Sequence, residues 1–295
     1  MNERGADMHM LLVRNSENPE ALDASVMLQA YLSSQGIESE TIDTIECDDY
    51  VAPACDMCVA LGGDGTILRT AKLMGISGTP ILGINYGHLG FLANDNDAGV
   101  VATVAAALAG DTTREERANM RIEVMCEGDD EAAFDARCTA PARYDGERCF
   151  FGLNEAAFTR GASGRMVQCD LSIAGSPIAK MRGDGLITST ATGSTAYALS
   201  AGGPLVAPGF RGLVTVPVAP HSLNARAIVC DPNDVVEVEV DDAEGSYEAE
   251  LFVDGIAARF DAPIAKLRIS RGAAPTVLLR YKREGFYGLV STVFF

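Results

Sequence analysis

The sequence predicts an α/β N-terminal domain with a parallel sheet, followed by a mostly β, sandwich-like C-terminal domain. Three observations carry this reading. Short apolar runs alternate with helical spacing as far as Gly110, which is the pattern of strands joined by crossover helices. Beyond Asp111 the period shortens to two, as in Val236-Glu237-Val238-Glu239-Val240, where valines face in and glutamates out. Turn signals then punctuate the chain at Glu127-Gly128-Asp129, Asp145-Gly146, Asp231-Pro232-Asn233 and Asp254-Gly255.

In chain order, Met10 to Val13 is a brief strand, and Leu22, Val26, Leu28, Ala30 and Leu32 mark a helix from Pro19 to Gln35 that stops at Gly36. Ile37 to Ile45 reads as a second strand. Met57 to Leu61 is a short apolar strand that runs into a glycine cluster, and Ile67, Leu68, Ala71 and Met74 follow at helical spacing up to Gly75. Pro80 to Asn85 is a further buried strand, and an alanine-rich helix from Ala98 to Ala109 closes the region. Period-two strands are expected at Arg121–Met125, Cys169–Ala174, Val235–Val240 and Ala265–Ser270. The expected division is 1–112 for the α/β domain, 113–272 for the β-rich domain, and 273–295 for a terminal segment. Phe286 to Phe295 is apolar enough to pack back on the first domain.

At 295 residues the chain is comfortable for two domains, and 47% apolar residues supply a sizeable core. Its formal charge of −18 excludes nonspecific nucleic-acid binding over the whole surface and argues against an anionic membrane. The window from Arg160 to Arg182 reverses that balance, with Arg160, Arg165, Lys180 and Arg182 against Asp170 alone. No apolar run reaches the ~18 residues of a membrane helix, and no basic-then-apolar leader opens the chain, so a cytoplasmic location is expected. Cys55-x-x-Cys58 has no second pair at zinc spacing, and the eight cysteines are scattered. Reduced thiols are therefore expected, with one packed beside the strand before the glycine cluster.

Three stretches carry chemistry. Gly62-Gly63-Asp64-Gly65-Thr66 joins a strand to a helix, so its free N–H groups and the helix dipole suit a phosphate. A carboxylate there repels an anion; it makes sense as a Mg²⁺ anchor or as a base for an attacking hydroxyl. Taken alone, Gly62-Gly63-Asp64-Gly65 is equally an ordinary turn. Asn154-Glu155 interrupts an apolar run with groups able to meet ribose hydroxyls or a base edge. By itself this pair reads as a strand end with a solvated glutamate. Arg182 to Pro204 is dense in Gly, Ser and Thr, yet Leu186, Ile187, Ala196 and Leu199 argue for burial, and Tyr197 can flank an aromatic base.

Together these blocks resemble the NAD kinase family. The matching residues are Gly62-Gly63-Asp64-Gly65-Thr66, Asn85-x-Gly87-x-Leu89-Gly90-Phe91-Leu92, Asn154-Glu155, Asp184-Gly185 through Gly193-Ser194-Thr195-Ala196-Tyr197, and Pro220 to Arg226. The resemblance implies transfer of the ATP γ-phosphoryl to the 2′-hydroxyl of the adenosine ribose of NAD, with Mg²⁺ or another divalent cation. It implies Asp64 as general base or metal-assisted activator, and Gly62, Gly63, Gly65, Thr66 and Arg69 as holders of ATP phosphates. For NAD it implies Asp64 and Gly65 together with Asn154, Glu155, Arg165, Arg182, Asp184, Thr195, Ala196, Tyr197, Ser200 and His221. It also implies a homodimer or homotetramer. Ala191 and Ala227 stand where prolines are common, and Ile256 where many relatives carry glutamine, which places a ligand contact there in doubt. A lipid kinase sharing the phosphate loop would want a basic or apolar membrane-facing element, which is absent. A non-catalytic NAD sensor would be expected to lose Asp64 or the glycines, which are intact.

Overall fold

A computed structural model describes residues 8–48, 50–75, 77–88, 90–162, 164–240, 249–282 and 285–295. Leu89, part of one matching block, lies outside them. The chain divides into two units: Met1–Glu116 with Thr276–Phe295, and Arg117–Pro275.

The first unit opens with β1 (His9–Arg14), α1 (Pro19–Ser34), β2 (Glu38–Asp43), β3 (Met57–Gly62), α2 (Asp64–Met74), β4 (Ile81–Asn85), α3 (Val100–Leu108) and β5 (Thr113–Arg117). Asn18 caps α1 by accepting from the N–H groups of Glu20 and Ala21, with Pro19 as the first helical residue. Gly75 ends α2 at φ 51°, a conformation that favours glycine. The expected second strand is shorter than read: at Thr44 a 3₁₀ turn takes over, closed by an Asp43–Glu46 capping box.

In the second unit come β6 (Met120–Cys126), α4 (Glu131–Thr139), β7 (Cys149–Gly152), β8 (Glu155–Arg160), β9 (Val167–Ile173), β10 (Ser176–Gly183), β11 (Gly185–Ser189), α5 (Tyr197–Ser200), β12 (Val214–Val218), β13 (Ile228–Val229), β14 (Val236–Val240), β15 (Ala249–Val253), β16 (Ile256–Ala258) and β17 (Ile264–Arg271). The chain then returns to the first unit with β18 (Thr276–Arg280) and α6 (Phe286–Phe294).

The first sheet runs β2-β1-β3-β4-β18-β5, with β1, β2, β3, β4 and β18 paired in parallel. Met10, Leu12, Val59, Leu61, Leu82 and Ile84 from its strands pack against Leu28 and Leu32 of α1. All residues of β3 are buried, as a sheet covered on both faces requires. The second unit holds two antiparallel sheets, β10-β9-β14-β17-β6-β7 and β13-β12-β11-β8-β15-β16. Val124, Leu171, Val238 and Leu267 of the former share one core with Phe158, Leu186 and Leu251 of the latter. This is the sandwich that the period-two pattern implied. The Ser/Thr-rich stretch supplies β11, fully buried along its length, rather than an open loop. Cys58 is buried within β3, and all eight cysteines are free.

Candidate active site

In the first unit, Gly62 ends β3 directly beside Asn85 at the end of β4. Both following loops therefore lie past the carboxyl ends of adjacent parallel strands, where ligands of such sheets bind. A Cβ on Gly62 would sit 2.1 Å from Thr66 Oγ1, so only glycine lets the helix start so close to the strand. Thr66 is buried against that point. Space is open around Gly63 and Gly65, and no side chain caps the N-terminus of α2. The helix begins at Asp64, two residues before the start read from the sequence.

The Asp64 carboxylate is not free in that loop. Its Oδ2 accepts from Phe91 N at 2.8 Å, and its Oδ1 accepts from Leu92 N at 3.1 Å and Ala93 N at 3.3 Å. Three successive backbone amides thus fill most of its roughly four acceptor positions. The approach is close because residue 90 is glycine: a Cβ there would lie 2.4 Å from the carboxylate carbon and from both oxygens. Behind the clasp, Arg280 of β18 donates to the Leu92 carbonyl, and Asn94 Nδ2 donates to Gly83 O at 2.8 Å and Leu279 O at 2.9 Å. Arg69 lies 3.6 Å from the Asp48 carboxylate, which Lys72 also meets.

A second aspartate clasp is built in the second unit. Asp254 accepts from Leu153 N at 2.7 Å, Asn154 N at 2.7 Å and Glu155 N at 3.1 Å. It does so from a left-handed turn, φ 49°, and its own N–H donates to Glu155 O. Asp254 was read from the sequence only as a turn residue. Its role depends on residues far away in the chain, and no local pattern reports that.

The hydroxyl-rich turn packs on the same three residues. Thr190 Oγ1 donates to Leu153 O, Ser189 Oγ donates to Asn154 O, and a Cβ on Gly193 would lie 2.3 Å from that carbonyl. Most of these hydroxyls are spent inside the turn, Thr195 Oγ1 on Thr192 O among them. Ala196 is half-buried, Ser200 is exposed, and the Tyr197 ring is 43% exposed.

Glu155 is buried rather than solvated, 6% exposed, with the Asp254 carboxylate and the Tyr197 N–H beside it. Among the described residues its Oε2 has no hydrogen-bond partner. Burial first, and the neighbouring Asp254 charge second, push its carboxyl from 4.5 up to about 7, against the pull of the Tyr197 N–H.

Arg182, Asp184 and His221 are gathered at the end of β10, where His221 N donates to Arg182 O at 2.8 Å. Asp184 pairs with Arg160 at 3.0 Å and Lys180 with Asp170 at 3.3 Å, which offsets part of the basic window. Arg165 is exposed. Among the described residues, no three acidic, histidine or cysteine side chains converge to hold a metal ion, and no helix is long and apolar enough to cross a membrane.

Two family models match the chain: the ATP-NAD kinase N-terminal domain over residues 10–112 and the ATP-NAD kinase C-terminal domain over residues 153–281. An NAD kinase of Aromatoleum aromaticum is 32% identical over 294 residues, spanning 95% of this chain and 91% of its own length. A crystal structure of yeast NADH kinase complexed with NADH is similar with a TM-score of 0.78 at 19% identity, covering 97% of this chain and 87% of that one. An NAD kinase from Archaeoglobus fulgidus in complex with ATP is similar with a TM-score of 0.71 at 23% identity, covering 97% of this chain and all of that one.

Proposed function

The chain belongs to the ATP-NAD kinase family, and on that premise we propose that Asp64 takes the proton of the adenosine-ribose 2′-hydroxyl as NAD becomes NADP. The ATP-dependent phosphorylation of NAD is the family reaction and the activity of this chain. The observation that carries the role of Asp64 is its clasp: three amides fix a carboxylate beside an uncapped helix N-terminus with open space at Gly63 and Gly65.

Asp64 takes the proton late, as charge moves onto the phosphoryl oxygens. What the clasp supplies is position, and phosphoryl transfer depends mostly on position and charge neutralisation. Gly62, Gly63, Gly65 and Thr66 line the site for the ATP phosphates at the positive end of α2, with Arg69 helping from the side where it meets Asp48. Asn154, Glu155, Thr195, Ala196, Tyr197 and Ser200 take the adenosine half of NAD, with the exposed Tyr197 ring as a stacking face. Arg165 and Arg182 meet phosphate, joined by Asp184 and His221.

A divalent cation such as Mg²⁺ fits this donor set only as a guest of the substrate. Asp64 has about one acceptor position left, so phosphate oxygens supply most of the coordination. When bound it neutralises phosphate charge that a −18 protein otherwise repels. We also propose a cytoplasmic homodimer or homotetramer that binds neither nucleic acid nor membrane.

Asp64→Asn tests this directly with ATP, Mg²⁺ and NAD. Turnover to NADP should fall by at least about a thousandfold while NAD still binds in a calorimetric titration. Near-normal turnover would remove Asp64 from the chemistry.

A further inference from the structure

We propose that the C-terminal helix α6 is a positioning element for Asp64, acting through the ring of Phe91. The Phe294 ring stacks on Phe91 at 5.9 Å and 16°, and the Phe286 ring meets it at 6.1 Å and 55°. Phe91 is also the residue whose amide makes the shortest of the three bonds to the Asp64 carboxylate, 2.8 Å.

The rest of that loop is fixed by other means. Leu92 O is held by Arg280, Asn94 N donates to Gly83 O at 2.8 Å, and Tyr281 N donates to Asn94 Oδ1 at 3.0 Å. These bonds tie residues 92–94 to β4 and β18, while Phe91 sits at the loop's outer end, next to Gly90. Glycine gives the backbone there its greatest freedom, so side-chain packing on residue 91 decides where its N–H points.

The helix is poorly suited to a purely space-filling role. Its only buried residue is Leu289, whereas Tyr287, Val293 and Phe295 are 75%, 45% and 97% exposed. Nine residues without a side-chain N-cap are too few to hold a helix in water by themselves. Besides Leu289, α6 docks through the two phenylalanines that face Phe91. Removing them leaves the parallel sheet intact and loosens one end of the clasp.

This inference rests on the reading of Asp64 given above, and the test separates the two. In the full chain, Phe294→Ala should lower kcat roughly tenfold through misplacement of the carboxylate. The KM values for ATP and NAD should stay within about twofold, since substrate contacts are untouched. Amide hydrogen exchange at residues 91–93 should quicken, and Phe294→Tyr, which keeps the ring, should restore both readouts. Phe286→Ala provides an independent repeat should Phe294→Ala fold poorly. In an Asp64→Asn background, Phe294→Ala should cost nothing further. Unchanged exchange at 91–93, or unchanged kcat despite faster exchange, overturns the positioning role. Near-normal turnover in Asp64→Asn overturns the Asp64 reading instead, whatever the exchange shows.

Discussion

A carboxyl group that loses water without gaining a cation keeps its proton to higher pH, and Glu155 is in that position. Its Oε2 is buried without a partner among the described residues, and the charge nearest it is another carboxylate, Asp254. With its folded value raised from 4.5 to about 7, the folded state binds the proton more tightly than the unfolded chain does. The stability this contributes is complete below about pH 4.5 and is lost as pH rises through about 7. Glu155→Gln stays neutral throughout. The two proteins should therefore be equally stable at about pH 4, and the variant should gain over wild type by up to roughly 3 kcal/mol by about pH 8.5. Urea unfolding of both across that range measures the gap; a gap that does not change with pH would place the ionised carboxylate in a well-solvated setting. The sequence makes Asn154-Glu155 conspicuous as polar residues inside an apolar run. It does not reveal the burial, in which the neighbours Asp254 and Tyr197 come from distant parts of the sequence.

At the scale of elements, one device is used twice: an aspartate accepts three consecutive backbone amides from a loop that follows a strand. Asp64 holds 91–93 and Asp254 holds 153–155. Asn154 and Glu155 of the second loop are the residues proposed above to meet NAD, and each clasp fixes a loop that would otherwise owe its shape to short turns alone. Gly90→Ala tests the tightness of the first. Its Cβ would lie 2.4 Å from Asp64 Cγ, Oδ1 and Oδ2, so either the carboxylate or the loop must move. Overpacking of this kind costs roughly 1–3 kcal/mol in stability, and displacement of the carboxylate should lower kcat by about a hundredfold. Denaturant melts and steady-state kinetics measure the two separately, and a wild-type kcat would mean that the clasp geometry is not needed for turnover. Individual elements were legible wherever one face is buried. Val236–Val240 alternates as strand β14, and Pro19 and Gly36 bracket α1, whereas its Asn18 cap was not read. Helix α4 was missed because Phe134 is its sole buried residue, which leaves no periodicity to read.

For the molecule as a whole, the decisive feature is that the first unit is made from two separated lengths of chain. Strand β18 lies between β4 and β5, its five residues Thr276–Arg280 all buried, and it pairs in parallel with β4 at Leu278 and Ile81. It also brings Arg280 to Glu115 at 3.0 Å and to the Leu92 carbonyl. A parallel pairing between such distant segments has no hairpin signal. From the sequence, 273–295 reads as a terminal segment, and neither this strand nor its partner is named, although the α/β class was plain from the alternation before Gly110. The second unit has its own core and takes no strand from beyond Pro275. A chain ending at Pro275 should consequently lose the first unit and keep the second. It would strip β4 of one of its two neighbours, leaving only β3, and leave Asn94 and Glu115 without bonds that the full chain provides. Limited proteolysis read by mass spectrometry should trim that chain to a resistant fragment close to 117–275, whereas the full chain should resist over both units. A truncated chain that resists proteolysis over residues 8–116 as well would show that the first five strands form a stable sheet unaided, and β18 would then be an accessory rather than a structural member.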